Sequence, residues 1–165
     1  MKNNLQVTTN KNFWIVEIYK KKNLRDVFGQ DIKKSIEELG ISKIEEVKVS
    51  NLYKIECKAD KKKIEKIAKQ LLIDNISENF KIYKKTRAKK NYWIVDVFLK
   101  DGVTDPVGET TKKTIIESKI LNDVEVKTGK KYYIKGKLNQ SQIKNICEKI
   151  LANTLIHNYF ILKRT

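Results

Sequence analysis

Histidine occurs once in this 165-residue chain and cysteine only twice, so the usual nitrogen and sulfur ligands cannot assemble a zinc site. His157 stands alone and reads as a surface residue ahead of the final strand. Cys57 and Cys147 fall on apolar faces and read as small buried thiols rather than a disulfide. No run of about 18 apolar residues is present, which excludes a membrane-spanning helix. The first residues, Met1 to Gln6, lack the apolar stretch of a signal peptide, so a cytoplasmic protein is expected. Two glycines lie within Lys100–Gly108, but not at the spacing of either glycine-rich phosphate loop. Nothing assembles a nucleophile, a base and an oxyanion hole. Catalytic residues, metals and cofactors are therefore not expected.

Arginine is scarce as well. Arg25, Arg87 and Arg164 are the only three, although the formal net charge is +16. Specific phosphate recognition favours arginine, whose planar fork binds two oxygens at once. A lysine excess beside abundant Asn and Ile reads as a solvated surface, and argues against a nucleic-acid partner.

What the chain does have is a repeat. Trp14-Ile15-Val16-Glu17-Ile18 returns as Trp93-Ile94-Val95-Asp96-Val97, 79 positions later. The same offset relates Ile64, Ile67, Leu72, Asn79 and Ile82 to Ile143, Ile146, Leu151, Asn158 and Ile161. Stacked solenoid units run about 20–50 residues, so each copy here is a small domain. Such domains bury only about 60% of their unfolded surface and gain stability by packing together. The expected layout is a flexible tail at 1–11, a module at 12–85, a linker at 86–91 and a second module at 92–165. Six linker residues reach at most about 20 Å, so the modules must lie side by side.

Within each copy the pattern is strand, helix, strand, strand, helix, strand. Phe13–Tyr19 and its equivalent are dense apolar runs with both faces largely apolar. One face suits helices; the other calls for a sister sheet or a partner protein. Glu17 and Asp96 lie at equivalent positions on a mostly apolar strand face, and pairing with a neighbouring lysine is preferred to a carboxylate pair on the pseudo-twofold axis. Asp105 and Pro106 mark a helix start, and Phe28, Ile32, Ile36 and Leu39 form a stripe at helical spacing. Gly29 and Gly108 cost about 1 kcal/mol each in a first turn, which suggests either close backbone approach by a neighbour or a chance inheritance that carries no function. Ile44–Val49 and Leu52–Cys57 read as a hairpin turning at Asn51, as do Val124–Lys127 and Lys131–Lys135 about Thr128-Gly129-Lys130. A second helix begins at Asp60, and at Asn139, where Gln142 three residues on completes a capping box. The fold class is α+β: two tandem ferredoxin-like βαββαβ modules with antiparallel sheets, packed as a pseudo-dimer.

Three stretches of the second copy carry a resemblance: Lys100–Glu109 with its Asp-Pro cap and glycine, Val124–Lys130 with its valine strand and Gly-Lys pair, and Cys147–Ile156 with Cys-Glu-Lys-Ile-Leu-Ala-Asn. Together they resemble the PurS-type small subunit of phosphoribosylformylglycinamidine synthase. The first copy has drifted, with Val27 in place of the proline and Ile73-Asp74 in place of the Ala-Asn pair, while Asp26 and Gly29 remain. The resemblance implies a non-catalytic scaffold that, as a dimer, bridges an ATP-dependent synthetase subunit and a glutaminase subunit and supports ammonia transfer. It marks Asp105, Pro106, Gly108, Gly129, Lys130, Leu151, Ala152 and Asn153 as candidates for partner contact. The alternative from another class is a tandem ferredoxin-like RNA-binding module, stacking bases on Tyr132 or Tyr133. A third is a paired small-molecule regulatory domain with its pocket between the copies.

Overall fold

The computed structural model describes residues 12–162; the tail at 1–11 lies outside the described residues. The first repeat forms β1 (Phe13–Lys20), α1 (Val27–Glu38), β2 (Ile44–Glu56), α2 (Lys61–Ile67) and β3 (Glu78–Tyr83). The second forms β4 (Tyr92–Leu99), α3 (Pro106–Glu117), β5 (Glu125–Gly136), α4 (Gln140–Ile146) and β6 (His157–Leu162). All six strands join one sheet, ordered β3-β1-β2-β5-β4-β6, and each neighbouring pair is antiparallel.

The two hairpins of the sequence reading are corrected here. Neither Asn51 nor Thr128-Gly129-Lys130 makes a turn. Each apparent hairpin is one long strand, and β2 pairs with β5 from Ile44 opposite Gly136 to Glu56 opposite Glu125. Unrolling the hairpins lets the facing edges of the two long strands pair across the repeats in place of a local turn. Counted as two segments, the long strand keeps each half βαββαβ-like. The α+β class of tandem ferredoxin-like modules with an antiparallel sheet stands. Asn51 and Lys130, equivalent by the repeat, face each other across the strand pair. The pseudo-twofold axis passes between them, and Lys130 Nζ donates to Asn51 Oδ1 at 2.7 Å.

Cross-strand register puts Val16, Tyr53 and Ile55, with Val47, Tyr132, Ile134 and Val95, on a single face. All four helices cover that face, but in exchanged positions. One core joins Ile36 of α1 to Trp93, Val95, Tyr132, Ile134, Ile143 and Ile146 of the second repeat. The other joins Ile115 of α3 to Val16, Ile18, Ile55, Ile64 and Ile67 of the first. Each repeat therefore lends its first helix to its sister's core. The apolar stripe of α1 is only half used, since Ile36 is fully buried while Phe28 and Leu39 remain exposed.

The opposite face carries no helix. The sequence reading offered a sister sheet as its cover, but the sheets merge edge to edge and cannot stack. Residues 84–91 cross this face instead, linking β3 at one edge to β4 near the other, which meets the side-by-side constraint of the short linker.

Helices α2 and α4 start as read from sequence. Asp60 accepts from Lys63 N–H, and Asn139 and Gln142 form the reciprocal capping box. Both end in a π-helical turn, Ala68–Leu72 and Cys147–Leu151, closed by Ile73 N–H to Ala68 O at 3.1 Å and Ala152 N–H to Cys147 O at 2.8 Å. No helix among the described residues is long and apolar enough to cross a membrane.

Candidate functional site

Where the long strands run past their neighbours, their outer edges need partners. The helix starts supply them. Asp105 caps α3 by accepting from Gly108 N–H at 2.9 Å, and its carboxylate also takes Thr128 N–H at 2.7 Å and Thr128 Oγ1–H at 2.8 Å. Asp26 repeats the arrangement with Gly29 N–H at 2.8 Å and Val49 N–H at 2.9 Å. One carboxylate thus satisfies a helix end and a sheet edge together. The glycines let the helix rest on the strand: a Cβ on Gly29 would lie 2.2 Å from Val47 O, and one on Gly108 2.7 Å from Val126 O. Close approach by a neighbouring backbone, read from the paired glycines, is borne out. Replacing Asp105 with alanine is expected to cost about 2 kcal/mol, combining a lost cap with a stranded strand N–H. A urea titration should show a lower midpoint at unchanged slope; an unshifted midpoint would refute this bolt.

The remaining candidates divide by exposure. Gly129 lies beneath β4, where a Cβ would stand 2.5 Å from Val97 O and 2.7 Å from the Phe98 ring. Lys130 occupies the pseudo-axis, its ammonium 5.3 Å from the exposed Phe28 ring. Leu151 and Ala152 are core residues turned inward by the π-helical turn. Asn153 is exposed and shapes the next turn, accepting from Leu155 N–H at 3.1 Å, while its own N–H meets His157 Nδ1 at 3.1 Å. Pro106 is exposed at the first position of α3. Gly129, Lys130 and Leu151 meet, with His157, around a cavity of about 340 Å³; Asp105, Pro106, Gly108, Ala152 and Asn153 lie outside it.

A buried polar cluster on the helix-free face escaped the sequence reading in part. Glu17 is 2% exposed and accepts from Ser50 Oγ at 2.9 Å, Tyr133 Oη at 2.7 Å and Tyr83 Oη at 3.0 Å. Burial first, and then the Glu17 charge, push both phenols well above the usual tyrosine range, so they act as neutral donors. Asp96, the equivalent of Glu17, pairs with Lys131 Nζ at 3.0 Å as the lysine preference anticipated; for Glu17 that preference is corrected, since hydroxyls take the place of a lysine. Lys131 is wholly buried and also donates to Thr86 Oγ1 at 2.7 Å, pinning the crossing segment to the sheet. Glu17 and Asp96, at equivalent positions on a mostly apolar strand, were the sequence signal pointing here. The titratable members of the cluster are bonded to one another or to neighbouring hydroxyls, which clamps the crossing segment to the sheet. Burial pushes the Cys147 thiol up to about 12, which suits a core position.

Tyr132, offered for base stacking, faces the helix-covered core at 8% exposure, and the Tyr133 hydroxyl is committed to Glu17. The RNA-binding alternative gains no support from either. Among the described residues no group of His, Cys, Asp or Glu is gathered so as to hold a metal ion.

A family model described as PurS, phosphoribosylformylglycinamidine (FGAM) synthase, matches residues 14–86 and matches again at 93–164. No curated protein matches the chain.

Proposed function

Because the chain belongs to the PurS family of FGAM synthase, in both of its repeats, and so has its role with that enzyme in purine biosynthesis, we propose that it is a non-catalytic scaffold standing in for two small subunits. In this reading the repeats, 12–85 and 92–165 joined by 86–91, act as one unit. The unit bridges the ATP-dependent synthetase subunit and the glutaminase subunit, and it supports passage of ammonia between them.

The exchange of α1 and α3 is the observation that carries the reading. Two repeats that complete each other's cores form an obligate pair, and such a pair presents two related but non-identical surfaces from one chain. Divergence between the copies then has a use, since a bridge between unlike partners has no need of symmetry. The polar cluster supports the non-catalytic part, because its tyrosines, lysine and carboxylates are consumed in mutual bonds.

Affinity capture of the tagged chain, co-expressed with the synthetase and the glutaminase, should recover all three at one copy each. A chain that retains neither subunit would sink the proposal.

A further inference from the structure

The outer edge of β2, the end of β1 and the start of α1 enclose a notch of about 730 Å³ in the first repeat. Seven cationic side chains line it against four carboxylates; Lys20, Lys33 and Lys48 are ion-paired with Glu78, Glu37 and Glu46, and Lys22, Arg25, Lys81 and Lys89 supply the excess. The four lining carboxylates are already engaged. Glu17 accepts three hydroxyls, Asp26 caps α1, Glu45 pairs with Lys135 at 2.7 Å and Glu46 with Lys48 at 3.2 Å. Arg25 contacts only a neutral amide, Gln30 Oε1 at 2.6 Å. Burial, then the nearby charges of Lys48 and Lys81, hold the Lys89 ammonium below its usual range, a sign of crowded positive charge.

The equivalent region of the second repeat has the other polarity. The repeat offset replaces Lys20 by Leu99, Lys22 by Asp101, Arg25 by Thr104 and Gln30 by Glu109. The two lysines left there are neutralised locally, Lys127 by Asp101 at 2.5 Å and Lys112 by Glu125 at 2.5 Å. The backbone scaffold is otherwise alike, with Asp26 and Gly29 matched by Asp105 and Gly108. A homodimer would carry two identical surfaces here; in this chain the equivalent side chains of the two repeats differ in formal sign.

We infer that the notch of the first repeat and the equivalent surface of the second are docking sites of opposite charge: the first seats an acidic surface of one large subunit of the complex, and the second seats a neutral-to-basic surface of the other. The inference rests on the bridging reading and adds which partner chemistry each repeat accepts. Complementary charge at such rims sets orientation and on-rate, and its effect falls with ionic strength. The tandem thereby presents one fixed polarity to two unlike partners, and a reversed assembly would place like charges together.

The test measures binding of each purified large subunit to the full chain, at low and at high salt. Lys22→Glu with Arg25→Glu should weaken binding to one subunit by at least about tenfold at low salt and leave the other unchanged. Asp101→Lys with Glu109→Lys should affect the other subunit instead. All four side chains are exposed, so the thermal midpoint of each variant is expected to stay at the wild-type value, and this is checked first. Equal weakening toward both subunits, or none toward either, would overturn the inference. A wild-type chain that binds neither subunit would instead fail the bridging proposal, which is a distinct result.

Discussion

Asp96→Ala is expected to lower the stability of this protein by about 3–5 kcal/mol, the cost of removing one member of a buried ion pair. The reason lies with the residue left behind. Lys131 is fully buried, and without Asp96 its ammonium retains the Thr86 hydroxyl at 2.7 Å but no anion among its bonded partners. For a domain of this size such a loss lowers the thermal midpoint by on the order of 10 °C. The double variant Asp96→Leu with Lys131→Leu gives the sharper comparison. Replacing both charges by apolar groups of similar volume is often neutral, or even stabilising by about 1–4 kcal/mol. The first repeat already shows an apolar solution at the equivalent of Lys131, where Leu52 is 1% exposed. Differential scanning calorimetry of both variants decides the matter. If the single variant melts within a degree or two of wild type, the pair is not the keystone of the helix-free face.

Gly29→Ala should be the second large effect, at about 3 kcal/mol, the upper part of the range for overpacking a close-packed site. The added Cβ would stand 2.2 Å from the Val47 carbonyl and 2.8 Å from Asp26 Oδ2. Backbone cannot step aside as a flexible side chain can, so α1 has to lift. Lifting α1 strains the Asp26 bond to Val49 N–H and shifts Ile36, which is fully buried in the core of the second repeat. The lesion is in the first repeat and its damage appears in the second. Hydrogen exchange should therefore show lost protection in β4 and α4 as well as in α1. Gly108→Ala should cost less, because its closest carbonyl, Val126 O, lies at 2.7 Å. Equal midpoints for the two variants would contradict this ordering.

Much of this arrangement is legible in the amino-acid order, for definable reasons. A capping aspartate followed by proline at Asp105-Pro106 and the box at Asn139 and Gln142 are local chemistry, and local chemistry survives into the fold. Paired glycines at 29 and 108 signal close approach because glycine in a first turn otherwise only costs stability. The long strands were not legible. Asn51 and Thr128-Gly129-Lys130 have the composition of turns, yet their strands continue because each finds its partner in the sister repeat. Gly129 is small because of the Val97 carbonyl and the Phe98 ring above it, not because the chain reverses there. The helix exchange was hidden for a related reason. Hydrophobic periodicity tells which face of α1 is buried, but two near-equivalent cores offer that face the same welcome. The candidate site was half visible: Glu17 and Asp96 stood out on an apolar face, whereas the tyrosines and Lys131 that complete the cluster come from strands whose register only the sheet defines.

The exchange of α1 and α3 has a consequence for the birth of the chain. When the first repeat leaves the ribosome, its own core still lacks α3 and the opening stretch of β5, and its α1 has nowhere to settle. Those parts, α3 ending at Glu117 and β5 opening at Glu125, follow the end of β3 at Tyr83 by a delay of roughly 2–9 s at a synthesis rate of about 5–20 residues per second. During that interval Val16, Ile18 and Ile55 have α2 but not α3 to cover them, and Ile36 lacks the second-repeat core it enters. Folding must wait for the second repeat, and a truncated message yields no half-product able to stand by itself.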